Sequence, residues 1–318
     1  MTSGSLEARL AWLTDVVRHQ LLRRGGVVQT SGGIDSAVTL MLTAQALGPD
    51  NTIALFLPDS ATDPTTTRYA ELVARAAQVE LTEHSIAASS EAQQPVGEIH
   101  AIVAGYFPEF DPIRDAYSVT MSHDATRRLG TPVYELSVGR RHEEATQHAR
   151  VRAADLRRVI AYQNRKQRTR MLFAYAEAER LNYAVVGASN GDELDTGFVV
   201  KYGDDAADVC AIADLTKPEV YALAREIGVP QELVDREPTT DTFALKQSQH
   251  DYYYSLAPDA IRDLVANTAS AEEIASHYPG WTPSALRQLR SAYTGTVRYN
   301  MHRSVRYRPA DPSNRMDS

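Results

Sequence analysis

Over the first 86 residues, the spacing of the apolar positions alternates between a helical period and short continuous runs. Leu6, Leu10 and Leu13 recur at intervals of three and four, which is the spacing of one helix face. The pattern predicts helices over residues 5–24, 37–47 and 65–78, and strands over residues 27–30, 52–57 and 79–86. Because these strands alternate with helices of ten or more residues, the pattern predicts an α/β fold with a parallel sheet flanked by helices.

The alternation is interrupted between residues 87 and 154, where prolines and glycines are frequent. Two strand-like pieces, residues 117–122 and 132–138, lie in this stretch, which could be an inserted hairpin or a lid over a site. Regularity then returns, with a strand predicted over residues 183–186 and helices over residues 156–181, 218–227, 252–265 and 284–292. We therefore predict a single domain, residues 1–318, with an inserted segment at residues 87–154.

The charge balance argues against a nucleic-acid partner. The 318 residues include 33 Lys and Arg against 41 Asp and Glu, which gives a formal net charge of −8. Non-specific binding to nucleic acid depends on clustered cations, so an acidic chain is a poor candidate for it. A local basic site for a phosphorylated small molecule stays compatible with this charge.

Cysteine usage and hydropathy bear on the compartment. Cys210 is the only cysteine, which excludes an internal disulfide, a cysteine-based zinc site and a CxxC redox pair. No apolar run reaches the length of a membrane span, and the N-terminus has no signal-peptide pattern. The sequence therefore predicts a cytoplasmic protein without a membrane partner.

A glycine-containing turn, Ser31-Gly32-Gly33-Ile34-Asp35-Ser36, joins the first predicted strand to the next helix. Successive glycines let backbone N–H groups approach an anion, and the N-terminus of the following helix adds partial positive charge. The turn lacks the lysine of a Walker A loop and the spacing of GxGxxG. Because Asp35 would repel phosphates unless a cation bridged them, the turn predicts a site for phosphate or pyrophosphate with Mg²⁺.

This turn resembles the SGGxDS pyrophosphate loop of the N-type ATP pyrophosphatases, a superfamily of adenylating enzymes. Further segments, in the same order along the chain, resemble those of the NAD synthetase family. These segments are NRKQRTRM (164–171), GASNGDEL (187–194), GFVVKYGDDAAD (197–208), DLTK (214–217) and EPTTD (237–241), with a fainter match at His302-Arg303. The resemblance covers about residues 5–86 and 155–260.

The resemblance implies a Rossmann-like, adenine nucleotide alpha hydrolase-like fold and an ATP-dependent amide ligase. In such an enzyme a substrate carboxylate is adenylated, pyrophosphate leaves, and ammonia then displaces AMP. The family also implies a homodimer.

The resemblance assigns roles residue by residue. The catalytic residues would be Asp35, Lys201 and Lys217, and Asp35 and Glu193 would hold Mg²⁺. ATP and pyrophosphate would contact Thr30, Ser31, Gly32, Gly33, Asp35, Ser36, Lys217 and Thr239, and the substrate would contact Asn164, Arg168, Arg170, Asp204, Asp208 and His302.

The substrate stays open at this point. The family's reference activity converts deamido-NAD to NAD with free ammonia, but Val200 and Asp205 stand where the family usually has Thr and Gly. An added carboxylate at Asp205 would repel a substrate phosphate, and residues 242–258 also depart from the family pattern, so another carboxylic acid is the alternative. A non-catalytic nucleotide-binding protein and a tRNA-modifying enzyme are weaker alternatives.

The source of the nucleophile is a separate question. Cys210 lies in no nucleophile context, and we expect no glutaminase domain in this chain. Free ammonia, ammonia delivered by a separate enzyme, or another amine would then be the nucleophile.

Overall fold

The computed structural model of the chain describes residues 6–236 and 242–301. The strands are β1 (Gly26–Gln29), β2 (Thr52–Phe56), β3 (Glu80–Glu83), β4 (Asp115–Met121), β5 (Tyr134–Arg140), β6 (Gln147–Ala149), β7 (Ala184–Gly187) and β8 (Val209–Cys210). The α-helices are α1 (Leu6–Asp15), α2 (Ile34–Leu47), α3 (Pro64–Ala76), α4 (Ala87–Gln93), α5 (Val96–Tyr106), α6 (His123–Leu129), α7 (Ala153–Leu181), α8 (Gly191–Thr196), α9 (Lys217–Glu226), α10 (Gln231–Val234), α11 (Gln249–Tyr252), α12 (Pro258–Ala266), α13 (Ala271–His277) and α14 (Pro283–Met301). A π-helical turn, Val16–Gln20, continues α1, and a 3-10 turn, Pro49–Asn51, precedes β2.

A parallel sheet with the order β3-β2-β1-β7-β8 confirms the predicted α/β class. The strands are short and rich in β-branched residues, and both sheet faces are covered, as parallel sheets require. Val28 packs in the core on one face together with α1, α2, α3 and α9, while its neighbour Val27 packs on the other face against α7. Successive side chains of one strand thus serve opposite layers.

The first half follows the predicted elements closely, with boundaries shifted by one to a few residues. Helix α2 begins at Ile34, directly after the two glycines, and ends at Leu47; the next residue, Gly48, has a φ of +89°, which suits a residue without a side chain. Helix α3 begins at Pro64 and is capped by Asp63, whose side chain accepts a hydrogen bond from the Thr65 N–H at 2.7 Å. These local signals explain why the chain alternates between strand and helix here.

Residues 87–154 hold more structure than the two predicted strands. Both strands are present, as β4 and β5, but a third strand, β6, extends them into an antiparallel sheet. Helices α4, α5 and α6 also lie in this segment. The core of the segment includes Val119, Leu136 and Ile99, and it packs against Val159 and Tyr162 of α7. Helix α7 therefore supports both the parallel sheet and this second sheet.

The prediction of one helix over residues 252–265 is wrong. Helix α11 ends at Tyr252, and α12 begins at Pro258, because proline lacks an N–H and suits the first turn of a helix. Tyr254 lies between the two helices and is buried in a core formed by α12, α13 and α14. Helix α14 is also longer than the predicted 284–292. No helix within residues 6–236 and 242–301 is long and apolar enough to cross a membrane.

Candidate active site

A cavity of about 450 Å³ opens at the carboxyl ends of β1 and β7. The chain leaves β1 toward β2 on one side, and β7 pairs with β1 on the other side, so the strand order reverses at this point. Ligands of open α/β sheets bind in the crevice formed at such a reversal. The loops that follow β1 and β7 both contribute to the cavity wall.

The glycine turn is held open toward the cavity by its own hydrogen bonds. The Ser36 hydroxyl accepts from the Ser31 N–H at 3.1 Å and donates to the Gly33 carbonyl at 3.0 Å. Gly32 has a φ of +69°, and a side chain there would meet the Tyr69 Cβ at 2.9 Å. The turn therefore requires glycine at this position, and it places a set of donors at the N-terminus of α2.

Asp35 and Lys217 form an ion pair at the mouth of this turn. The side chains are 18% and 19% exposed, so the pair is mostly withdrawn from solvent. The other Asp35 oxygen accepts a hydrogen bond from the Asn190 side-chain amide at 3.0 Å. Burial lowers the pKa of Lys217, but the Asp35 and Glu193 charges outweigh it and raise the pKa above its ordinary value. Lys217 therefore carries a full positive charge at neutral pH.

Glu193 faces the same cavity from α8, the short helix that follows β7. Asn190 and Glu193 form a capping box, in which the Asn190 Oδ1 accepts from the Glu193 N–H at 3.0 Å and the Glu193 Oε2 accepts from the Asn190 N–H at 3.2 Å. Burial and the nearby Asp35 charge raise the pKa of Glu193 above its ordinary value. A buried carboxylate whose charge is destabilised by a neighbouring carboxylate forms with it a suitable ligand pair for a hard cation.

Sequence reasoning missed a buried ionic group beside the cavity. Asp59 follows β2, and its Oδ2 lies 2.7 Å from the Lys166 Nζ and 3.8 Å from an Arg170 guanidinium nitrogen. The Asp59 and Lys166 side chains are only 2% and 7% exposed. Burial alone would raise the pKa of Asp59, but the Lys166 and Arg170 charges hold it well below its ordinary value. This group fixes α7 against the end of β2 and orients Arg170 toward the cavity wall.

We expect Asp59→Asn to lower the free energy of unfolding by about 3 kcal/mol, because it leaves the buried Lys166 ammonium without a counter-charge. Since the folded-state pKa of Asp59 lies below the unfolded value of 3.8, its contribution is complete well above pH 3.8 and is lost as the pH falls below it. The stability difference between wild type and variant should therefore narrow on acidification. Urea titrations at several pH values measure it.

Asp124→Asn provides the matched control, because the Asp124 side chain is 89% exposed and pairs only with the partly exposed Arg127 within the described structure. Its effect should stay below about 0.5 kcal/mol. An Asp59 variant as stable as this control at neutral pH would contradict the assignment.

The cavity brings together most of the side chains that the sequence resemblance assigns. Its wall contains Thr30, Ser31, Gly33, Asp35, Ser36, Asn164, Arg170, Glu193, Asp204 and Lys217. Gly32 lies in the same turn, and its carbonyl accepts a hydrogen bond from Arg236 at 2.7 Å. Thr239 and His302 lie outside the described residues.

Three assigned side chains are not part of the described cavity wall. The Lys201 Nζ donates to the Tyr299 carbonyl at 3.1 Å, and Arg168 donates to the Lys201 carbonyl at 3.1 Å. The Asp208 Oδ2 accepts from the Val185 N–H at 2.8 Å, which joins the start of β8 to β7. Each of these side chains thus has a structural partner.

Val200 and Asp205, the two residues that depart from the family pattern, differ in their position relative to the cavity. Val200 lines the cavity, so its isopropyl group faces whatever binds there. Asp205 is 8% exposed, and its Oδ1 accepts a hydrogen bond from the Gly203 N–H at 3.2 Å within its own turn. Asp205 is not among the residues that form the described cavity wall. The expected repulsion of a substrate phosphate by Asp205 therefore has no support in its position.

An aromatic wall was not predicted as part of the site. Phe198, Tyr252 and Tyr253 line the cavity, and the Phe198 and Tyr253 rings stack with centroids 4.5 Å apart. In the sequence, only the run of three tyrosines at 252–254 could have indicated this wall. The Tyr252 and Tyr253 side chains approach the cavity because α11 ends at Tyr252. The wall offers flat apolar surfaces in the same cavity as the glycine turn.

The parallel sheet, the SGGIDS turn at its strand-order reversal and the facing lysine and carboxylates are the features that the sequence resemblance to the N-type ATP pyrophosphatases implies. Residues 5–102 and 102–295 match the family model described as NAD synthase. The chain belongs to the NAD synthase family.

Individual relatives agree with this assignment. An NH(3)-dependent NAD(+) synthetase of Rhizobium meliloti is 38% identical over 260 residues, which is 80% of this chain and 77% of that protein. Two solved structures share the fold. An NMN synthetase from Francisella tularensis has a TM-score of 0.61 at 20% identity, covering 96% of this chain and 99% of its own. An NH3-dependent NAD synthetase from Campylobacter jejuni has a TM-score of 0.57 at 17% identity, covering 96% and 100%.

Proposed function

We propose that this protein is an ATP-dependent amide ligase with the activity of an NH3-dependent NAD⁺ synthetase. It adenylates the carboxylate of deamido-NAD, releases pyrophosphate, and forms the amide of NAD with ammonia. The observation that carries the proposal is the opening of the SGGIDS turn into the same cavity as Lys217 and Glu193. Membership of the NAD synthase family and a relative of that name at 38% identity support the substrate.

The phosphate end of the cavity suits the departure of pyrophosphate. The backbone N–H groups of the turn, the Ser31 and Ser36 hydroxyls and the N-terminus of α2 supply donors in a fixed arrangement. Lys217 adds a mobile positive charge that can follow pyrophosphate as it leaves the α-phosphorus. Donors that are already in place where charge develops lower the barrier without reorganisation.

Asp35 and Glu193 would hold Mg²⁺, since their carboxylates supply the oxygen ligands that this ion prefers. The raised pKa of Glu193 fits this assignment, because a cation between the two carboxylates would relieve their repulsion. When bound, the ion supplies neutralisation of the phosphate charges. In this structure Lys217 pairs with Asp35. With Asp35 engaged as a metal ligand, the Lys217 ammonium would be free to contact the phosphates.

The rest of the cavity wall would hold the substrate. Asn164 and Arg170 on α7 and the Asp204 carboxylate offer hydrogen-bonding groups of both kinds. Phe198 and Tyr253 offer apolar faces for planar rings. Arg168, Lys201 and Asp208 would then have supporting roles around this wall rather than direct contacts.

The nucleophile would be free ammonia or ammonia delivered by a separate enzyme. Cys210 is half-buried at the end of β8 and is not among the described residues of the cavity wall.

We extend the proposal to a cytoplasmic homodimer, as the family resemblance implies, in which residues 87–154 cover the cavity. Val119 and Tyr134 of that segment already contribute to the wall.

Mass spectrometry of the product tests the proposal directly. Incubation with deamido-NAD, ATP, Mg²⁺ and ammonium should give NAD, about 1 Da lighter than deamido-NAD because OH is exchanged for NH₂, and one pyrophosphate per product. Omission of ammonium is the matched control. Pyrophosphate release with another carboxylic acid but not with deamido-NAD would identify that acid as the substrate instead. No release with any carboxylate, while ATP still binds, would contradict the ligase activity.

A further inference from the structure

A cluster of two histidines and one carboxylate lies where residues 87–154 meet the C-terminal part of the chain. His123 begins α6, and His250 and Asp251 belong to α11. One possible ligand atom from each of the three lies within 4.8 Å of those of the other two. None of the three lines the active-site cavity as described above.

The two imidazoles contact each other, and one of their ring nitrogens is buried without a hydrogen-bond partner among the described residues. The rings of His123 and His250 stack with centroids 4.4 Å apart and an interplanar angle of 22°, so the two imidazoles are adjacent, and one ring must turn before both can point a nitrogen at the same ion. The His123 Nε2 is buried and has no hydrogen-bond partner among the described residues. A buried ring nitrogen without a partner is costly, and a metal ion would satisfy it.

Asp251 is oriented by its own helix turn. Its Oδ2 accepts hydrogen bonds from the Ser248 N–H at 3.2 Å and from the Ser248 hydroxyl at 2.6 Å. A ligating carboxylate is commonly fixed by a partner of this kind. The position of Asp251 is therefore set before any ion arrives.

We propose that His123, His250 and Asp251 bind a transition-metal ion of the Zn²⁺ class. Two imidazoles and one carboxylate suit Zn²⁺, with a water molecule as the fourth ligand, and suit Mg²⁺ poorly because that ion prefers oxygen ligands. Ligand atoms about 2 Å from a tetrahedral Zn²⁺ lie closer together than the 4.8 Å limit seen here, so binding requires one imidazole to rotate out of the stack and the three ligand atoms to move together.

The ion would cross-link the segment of residues 87–154 to the wall of the active site. Helix α11 packs on β4, and Gln247 just before it donates to the Val119 carbonyl at 2.8 Å. The same short helix carries Gln249, whose amide lies 3.5 Å from the Glu193 Oε1, and Tyr252 of the aromatic wall. A metal link at His250 and Asp251 would hold these two side chains in place.

Metal retention by the full chain tests the proposal without any turnover assay. The wild type, loaded with Zn²⁺ in the presence of excess Mg²⁺ and then gel-filtered, should retain about one Zn²⁺ per chain, and Co²⁺ should give the visible absorption bands of a four-coordinate site. The Asp35→Asn background should retain the same amount, which excludes the active-site carboxylates as ligands.

Two variants remove ligands at positions of different burial. His250→Ala changes an exposed side chain, and His123→Gln keeps a similar volume at the partly buried position. Both should lose at least about four-fifths of the retained Zn²⁺ and the thermal stabilisation that the ion confers. His277→Ala, an exposed histidine on α13, is the control and should retain the wild-type amount. Absence of stoichiometric Zn²⁺ in the wild type, or its full retention in either ligand variant, would overturn the proposal.

Discussion

Replacing Asp35 with asparagine is expected to reduce pyrophosphate release by at least about 1000-fold, because an uncharged amide cannot hold the cation that neutralises the phosphates. The amide has nearly the same shape, and Asn190 can still contact one of its ends, so the turn should keep its conformation. The change also removes the partner of Lys217. Steady-state assays of pyrophosphate with saturating ATP measure the effect.

The matched control is Asp50→Asn, which changes an exposed carboxylate in the turn before β2. It should leave the rate within about twofold of wild type. Thermal melting of both variants distinguishes lost chemistry from lost folding. Near-normal turnover by Asp35→Asn would contradict the assignment of Asp35 as a metal ligand. It would also leave the acidic residue in this turn without a catalytic function.

Lys217→Met is expected to lower kcat by about 100-fold or more, with a smaller change in KM for ATP. The physical reason is that the ammonium contributes most when negative charge accumulates on the departing pyrophosphate. Methionine keeps much of the apolar stem but removes the charge. A further consequence is that Asp35 and Glu193 lose a compensating cation, so the pKa of Glu193 should rise further.

Lys201→Met provides a direct comparison, because the sequence assigned both lysines to catalysis. The Lys201 ammonium lies against the Tyr202 and Tyr299 rings, 5.6 and 5.0 Å from their centroids, and is not in the described cavity wall. We expect kcat to fall by less than about fivefold in this variant. A fall in kcat equal to that of Lys217→Met would show that Lys201 acts directly on the reacting groups.

The parts of the fold that could be predicted are those encoded by local signals. The strand, glycine turn and helix around residues 26–47 follow from apolar spacing, two glycines and a helix start within one short segment. The parallel sheet follows from their repetition. By contrast, α11 and α12 were predicted as one helix because an apolar, tyrosine-rich run hides the break before Pro258.

The residues that line the candidate site could be predicted where a sequence motif indicates its own chemistry. Asp35, Glu193 and Lys217 lie in different segments of the chain, yet all three were assigned to one site, and all three line one cavity. The Asp59–Lys166 pair could not be found this way, because Asp59 stands in no recognised segment and the match of NRKQRTRM (164–171) does not show what Lys166 contacts. Their contact depends on how α7 crosses the end of β2, which is a property of tertiary packing.

Helix α7 supports two separate parts of this protein, which bears on how the protein could evolve. One end of this 29-residue helix packs on the parallel sheet and the other on the antiparallel sheet, while Asp59 fixes it between the two. We therefore expect substitutions in residues 87–154 to leave the conformation of the SGGIDS turn unchanged. A lineage could change which carboxylate it accepts by altering that segment and still inherit an intact adenylation centre.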